Sequence, residues 1–180
     1  MENSTIKFPN DTLELIHRIM GRYPEGKHKS AILPVLHLAQ AEFGGWLSPE
    51  VMDYVASILK IQSVEVYEVA TFYTMFNMKP VGKCVLEVCR TGPCWLQGAE
   101  DIVRHLEKKL GIKAGGTTPD GMFTLKLVEC LASCGTAPVM QVGEIYHEKL
   151  TCEGVDKILS DYRDTVTEPI SHWAKDKIHR

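Results

Sequence analysis

The sequence predicts an α+β protein, a small N-terminal helical bundle followed by an α/β domain, and three observations carry that prediction. Apolar residues recur at helical spacing from about Asp11 to Phe76. Near Lys79-Pro80-Val81-Gly82 the period changes, and strand-like and helical segments alternate from there on. Five of the six cysteines then fall within the stretch from Cys84 to Cys134. With 180 residues, 44% apolar and 24% charged, the chain has an ordinary globular composition and enough length to bury a core without disulfide staples.

Asp11 stands where it can cap a first helix that places Leu13, Ile16 and Ile19 or Met20 on one face and stops at Gly21. Ser30 precedes a second, Ala31 to Phe43, with Leu33, Leu36 and Ala39 or Gln40 in phase and Gly44-Gly45 as its stop. Pro34 is close enough to that start to be tolerated. Ser48-Pro49-Glu50, a cap with proline at the first helical position, opens a third helix whose stripe is Val51, Val55, Ile58 and Leu59. Ser63 is the expected cap of a fourth, running through Val66, Val69, Ala70 and Tyr73 to about Phe76. Four short amphipathic helices with brief connections make a bundle over residues 1–79, which by itself indicates only packing.

Residues 80–162 read differently. Cys84–Cys89 is strand-like, and Trp95 to Leu110 reads as one helix with Ile102, Val103, Leu106 and Leu110 inward. Gly115 to Gly121 is a turn-rich loop, and Phe123 to Val128 alternates as a half-buried strand should. Val139 to Val142 and Glu144 to His147 straddle Gly143 as a hairpin or a bulged strand, and Thr151 caps a last helix to about Tyr162. The polar stretch 163–180, with a lone Trp173, is expected to be a loosely held tail.

Charge and hydropathy exclude several classes of partner. Twenty Lys and Arg against 23 Asp and Glu leave a net charge of −3, and neither half carries the basic excess of a nucleic-acid binder. No apolar run approaches the ~20 residues that span a bilayer. The opening residues lack both the apolar core of a signal peptide and the Arg-rich bias of a transit peptide. A soluble cytoplasmic chain without direct membrane insertion is therefore expected.

In such a compartment thiols stay reduced, so clustered cysteines point to metal or redox chemistry before disulfides. Cys89 and Cys94 enclose Arg-Thr-Gly-Pro, and Cys130 and Cys134 enclose Leu-Ala-Ser. Each pair begins at the end of a predicted strand and occupies the following loop, where an α/β domain brings distant segments together. Four thiolates from two loops suit a metal site. Zinc accepts spacings of this length, and a [2Fe–2S] cluster wants two thiolates per iron across a wider object. Spacing alone leaves zinc, the cluster and unrelated cysteines open, with the longer gaps suiting the cluster. The surroundings agree: Cys94 precedes the helix beginning at Trp95, whose N-terminal N–H groups favour negative charge. Gly92 and Gly135 leave room for backbone N–H groups to approach sulfur. Pro138 can set the second loop rigidly, with a cis bond after Ala137 as a guess. Cys84 stands apart, since in a strand it lies ~16 Å from Cys89 and faces the other way. Cys84 and Cys152 are read as packed core side chains.

Val69-Ala-Thr-Phe-Tyr-Thr-Met-Phe76, the Cys89/Cys94 loop, Thr117-Thr-Pro-Asp-Gly121 and Val128-Glu-Cys-Leu-Ala-Ser-Cys134 resemble the small [2Fe–2S] subunit of the NADH dehydrogenase module of respiratory complex I. The likeness runs from about Phe8 to Tyr162. It implies a helical bundle joined to a thioredoxin-like [2Fe–2S] ferredoxin domain, with Cys89, Cys94, Cys130 and Cys134 as iron ligands and no catalytic residue. Ala132 departs from the glycine of many relatives. The resemblance also implies a larger flavoprotein partner that holds FMN, NADH and a [4Fe–4S] cluster, within a complex peripheral to the cytoplasmic side of the inner membrane. The chain has neither a Gly-x-Gly-x-x-Gly turn nor a phosphate loop, which agrees with hydride chemistry residing elsewhere. It is thus expected to be an electron-transfer subunit of an NADH:quinone oxidoreductase without a substrate site of its own, the helical bundle supplying docking surface. Related subunits also serve NAD-linked hydrogenases and formate dehydrogenases, which remain the alternative assemblies.

Plainer readings stand beside these. His37 lies in a helical stripe and reads as a satisfied core or boundary histidine. Phe72, Tyr73 and Phe76 have helical spacing, so packing is favoured over cofactor stacking. Trp95 either shields the site or packs, and Glu129 is read as solvated. A thiol–disulfide enzyme would want two cysteines two residues apart at a helix start, which this chain lacks. A zinc-stabilised interaction module is the remaining rival.

Overall fold

Residues 6–170 are described in the structure, a computed structural model, and they divide between Pro80 and Val81 into two units. The first holds α1 (Asn10–Met20), a 3-10 turn (His28–Ala31), α2 (Ile32–Glu42), α3 (Pro49–Leu59) and α4 (Ser63–Phe72). Ile16, Val35, Leu36, Leu47, Val55 and Val66 are wholly buried in its core. Caps decide where the helices begin. The Ser48 hydroxyl accepts from the Val51 N–H at 3.3 Å with Pro49 at the first position, as the sequence predicts.

The other starts differ. Pro9, not Asp11, precedes α1, and Asp11 lies in its first turn. Ser30 itself lies in the 3-10 turn and caps nothing, so α2 begins at Ile32 and Pro34 sits in its first turn, where its missing N–H has no helical partner to lose. Gln62 precedes α4, its N–H donating to Glu65 Oε2 at 3.0 Å. α4 stops at Phe72 because Tyr73 turns extended. Gln40 fastens the segment beyond it, donating to the Met75 carbonyl at 3.1 Å and accepting from the Asn77 N–H at 2.7 Å. The aromatic stripe is therefore broken: Phe72 is 76% exposed while Phe76 is buried.

The second unit holds β1 (Cys84–Cys89), α5 (Gly92–Leu96), α6 (Ala99–Leu110), β2 (Phe123–Val128), a 3-10 turn (Cys134–Thr136), β3 (Met140–Val142), β4 (Ile145–His147) and α7 (Cys152–Thr165). One mixed sheet runs in the order β2-β1-β3-β4. β1 and β2 are parallel, in register from Cys84 with Phe123 to Cys89 with Val128, and the other pairs are antiparallel. Alternation sends Cys84, Leu86 and Val88 of β1 and Phe123 and Leu125 of β2 into one apolar cluster with Ile102 and Leu106 of α6 and Val155 and Leu159 of α7. Both long helices thus cover the same face of the sheet.

The single helix expected from Trp95 to Leu110 is two helices. Gly98 takes φ = 88°, a left-handed conformation that ends α5 and starts α6. The hairpin over Gly143 is regular, with Met140 opposite His147 and Val142 opposite Ile145. Thr151 caps α7, its hydroxyl accepting from the Gly154 N–H at 3.0 Å. Of the stretch expected to be a loose tail, residues 163–165 continue α7. Val166 and Ile170 pack on the second core, and the Ile170 N–H donates to the Lys83 carbonyl at 2.7 Å. Residues 171–180, with Trp173, lie outside the described residues.

Candidate metal centre

Parallel pairing of β1 with β2 brings two distant cysteine loops to one end of the sheet. Cys89 ends β1 opposite Val128, which ends β2. The Arg90 N–H donates to the Val128 carbonyl at 3.2 Å, and the Cys89 N–H donates to the Val139 carbonyl at 3.1 Å. The two loops therefore depart from adjacent strand ends and the second returns beside Cys89. Cys94 is held by α5, the third residue of that five-residue helix rather than the residue before a long one. Cys89, Cys94, Ala99 and Val139 form a small buried cluster of their own, with Leu131 and Ala137 packed against it.

The two pairs occupy different surroundings. Cys89 and Cys94 are 2% and 3% exposed, whereas Cys130 and Cys134 face solvent. The Cys130 and Cys134 sulfurs lie 3.7 Å apart. Two thiolates each ~2.3 Å from a tetrahedral metal stand about 3.8 Å apart, so this is an ordinary spacing for two ligands of one metal. Cys94 senses the charge of Cys134, and Cys134 that of Cys89, which puts the pairs within electrostatic reach. Among the described residues, no three His, Cys, Asp or Glu side chains converge on a single ion. The sulfurs form two pairs.

Protonation follows these surroundings. Burial pushes the Cys94 thiol up to about 11, reinforced by its hydrogen bond with Cys89 and the neighbouring Cys89 and Cys134. Burial pushes Cys89 up too, but the Thr91 hydroxyl and N–H, the Leu131 N–H and Cys94 outweigh it and hold this thiol below its ordinary value. Cys134 is raised by its hydrogen bond with Cys130 and by that neighbour's charge. The Thr91 hydroxyl lies 3.4 Å from the Cys89 sulfur, and the Ala132 N–H donates to the Cys130 sulfur at 3.3 Å. Four thiols in two pairs, with N–H and O–H donors aimed at sulfur, fit an anionic two-iron cluster. Cys89 and Cys94 could hold one iron, Cys130 and Cys134 the other.

Other candidates fall outside this group. Cys84 is wholly buried in the larger core on the opposite sheet face, where burial pushes its thiol up to about 11. Cys152, at the start of α7, is half-buried against the same core. His37 is buried with its ring 4.9 Å from that of Phe76. Trp95 is 56% exposed, and Glu129 is exposed.

Sequence reasoning missed a set of residues that hold the second loop. The Glu148 carboxylate accepts from the Ser133 and Thr136 hydroxyls, the latter at 2.6 Å, and both hold its acid below the usual range. The Tyr146 hydroxyl donates to the Leu131 carbonyl at 3.1 Å. Ala137–Pro138 is cis. Ala132 takes φ = 60°, where L-residues are disfavoured, which explains why glycine suits this position. The spacing Ser133 to Thr136 is readable, but nothing local announces Glu148.

The family model of the thioredoxin-like [2Fe–2S] ferredoxins matches residues 16–163. The E subunit of the NADH-quinone oxidoreductase of Rickettsia felis is 47% identical over 160 residues, 89% of this chain and 96% of that protein. The mitochondrial NADH dehydrogenase [ubiquinone] flavoprotein 2 of Dictyostelium discoideum is 40% identical over 163 residues, 91% of this chain and 66% of that one. Among solved structures, an air-oxidised NAD+-reducing [NiFe]-hydrogenase superposes at TM-score 0.67 with 16% identity, covering 86% of this chain. This chain spans only 26% of that hydrogenase chain, and the likeness concerns fold alone. With two cysteine loops meeting at the end of a parallel strand pair and near-full-length relatives approaching half identity, the chain belongs to the thioredoxin-like [2Fe–2S] ferredoxin family.

Proposed function

We propose that this chain is the one-electron carrier of an NADH-quinone oxidoreductase, with a [2Fe–2S] cluster on Cys89, Cys94, Cys130 and Cys134. The arrangement of four thiols as two pairs on loops following adjacent parallel strands is the observation that carries this reading. The cluster supplies storage of a single electron at these sulfurs. Thr91, the Leu131 N–H and the Ala132 N–H direct donors at sulfur and stabilise the thiolate charge. The buried pair excludes water from one half of the site, and the exposed pair leaves the other half near the surface.

The oxidised substrate belongs elsewhere in the complex. A larger flavoprotein holding FMN, NADH and a [4Fe–4S] cluster is the partner we infer, and this chain needs no substrate site of its own. Trp95 and Leu96, 56% and 74% exposed, directly follow Cys94 and offer apolar surface where such a partner could approach closely. No helix among the described residues is long and apolar enough to cross a membrane. The position we infer for the chain is peripheral, on the cytoplasmic side of the inner membrane, with docking through the N-terminal unit.

An NAD-linked hydrogenase or formate dehydrogenase is the alternative assembly, and the hydrogenase neighbour shares the fold alone. The relatives at 47% identity favour the quinone-linked complex. Zinc is disfavoured because the chain belongs to the thioredoxin-like [2Fe–2S] ferredoxin family. Iron, zinc and sulfide analysis of anaerobically purified protein, with an electron paramagnetic resonance spectrum after dithionite, tests the reading. Two irons and two sulfides per chain with a spin-one-half signal are expected. One zinc and no signal under iron-replete expression would overturn it.

A further inference from the structure

The Cys130–Cys134 half of the site is exposed, carries the disfavoured φ of Ala132, and includes only a three-residue 3-10 turn as regular structure. Its shape must therefore come from outside the loop. β4 and the turn after it run alongside and fasten it at four successive points. The Tyr146 hydroxyl donates to the Leu131 carbonyl at 3.1 Å. Glu148 Oε1 accepts from Ser133 Oγ and from Thr136 Oγ1, and those two hydroxyls lie 2.8 Å apart. The Lys149 N–H donates to the Thr136 carbonyl at 2.7 Å, and the Leu150 N–H to the Pro138 carbonyl at 3.1 Å. Lys149 itself takes φ = 49°, a left-handed conformation that aims its N–H back at the loop.

Only one of these contacts is made by a charged side chain, and it binds Ser133, the neighbour of Cys134. We propose that Glu148 is a positioning residue of the metal centre: its carboxylate clasps Ser133 and Thr136 and so keeps Cys130 and Cys134 at ligand spacing. The inference rests on the [2Fe–2S] reading above. The clasp uses a single oxygen, Oε1, for both hydroxyls. Glutamine retains an oxygen acceptor there and loses the charge, while alanine loses both. Charge-assisted hydrogen bonds are about twice as strong as neutral ones, so the two substitutions are graded.

The test is the rate at which the full, cluster-loaded chain yields iron to an excess of a strong ferrous chelator under anaerobic, reducing conditions, followed by absorbance. Glu148→Ala is expected to release iron about tenfold faster than the unsubstituted chain and Glu148→Gln no more than about threefold faster. Both variants are expected to raise the midpoint potential of the cluster, since each removes a negative charge from its vicinity. A glutamine variant whose potential stays at the unsubstituted value would show that the carboxylate does not act at the centre and overturns the assignment. If Glu148→Ala proves poorly folded, the double substitution Ser133→Ala with Thr136→Val removes the same donors and leaves the carboxylate. It should reproduce the faster release, and adding Glu148→Ala to it should change little. Release from Glu148→Ala at the unsubstituted rate, or from Glu148→Gln as fast as from Glu148→Ala, overturns the clasp. An unsubstituted chain that takes up no iron and sulfide overturns the function reading, and this inference with it.

Discussion

Cys84 and Cys130 are both thiols near a strand end of the same sheet, yet their removal should have opposite consequences. Cys84 starts β1 and Cys89 ends it, so the two α-carbons are ~16 Å apart at ~3.3 Å per residue. Cys84 joins the cluster of Leu86, Val88 and Phe123, while Cys89 joins Cys94 on the other face. Cys84→Ala therefore removes one buried, methylene-sized atom. The lost transfer energy is about 0.8 kcal/mol, and a void of ~30 Å³ at ~24 cal/mol per Å³ adds about 0.7 kcal/mol. A destabilisation of about 1.5 kcal/mol is expected, worth roughly 3–6 °C in Tm for a chain of this size. Iron and sulfide content should be unchanged. Cys130→Ala reverses the pattern: the side chain faces solvent, so the metal-free chain should unfold at an unchanged urea midpoint while iron and sulfide are lost. Iron by atomic absorption, labile sulfide and urea midpoints on both variants decide the matter. A folded Cys84→Ala protein without iron would refute the ligand assignment, as would a Cys130→Ala protein that kept two irons.

Two further outcomes follow from packing and protonation. A Cβ at Gly82 would stand 2.9 Å from backbone atoms of Met122 and Phe123; Gly82→Ala should destabilise the sheet by about 1–3 kcal/mol, read as a lower urea midpoint, and an unchanged midpoint would show that the backbone yields freely. His147 bonds the Tyr162 hydroxyl at 2.8 Å, and burial holds its pKa below 6.5. The unfolded chain then takes up a proton below pH 6.5 that the folded chain refuses, so the stability this residue contributes is full above pH 6.5 and declines as pH falls through the window beneath it. Replacing it with Gln should flatten that acid limb in chemical denaturation between about pH 7.5 and 5.5, and an identical limb would count against the assignment.

The elements most legible in the sequence were those set by contacts within a few residues. Ser48-Pro49 announces α3 because the cap and its N–H acceptor site lie three residues apart, and alternation in Cys84–Cys89 separates Cys84 from Cys89 because side-chain direction in a strand depends on parity alone. Boundaries failed where a tertiary contact won. The Gly98 break was hidden because a lone glycine inside an apolar helical pattern is tolerated as well as used. The early stop of α4 depends on Gln40, whose partners lie 35 and 37 residues away. The cysteine pairs could be seen in the spacing, but their unequal burial depends on α5 and on the returning strand, which no local pattern specifies.

That inequality shapes the chemistry. Cys89 is fixed by the last rung of a parallel strand pair and Cys94 by a helix turn, and both are sealed by Val139, Ala99 and Leu131. Their positions come with the fold and need no ligand to persist. Cys130 and Cys134 sit on a loop whose geometry is borrowed from β4 and its following turn, including a non-glycine residue in a left-handed conformation. A one-electron carrier benefits from this division. The rigid, dry half limits rearrangement when charge changes, because fixed dipoles around buried sulfurs have little freedom to reorient. On the proposed reading, the exposed half would shorten the path to a docked redox partner. On the proposed ligand set, the same exposure would make that half the weaker hold on a metal, and a strap that stabilises it without covering it would reconcile retention of the cluster with access to the partner.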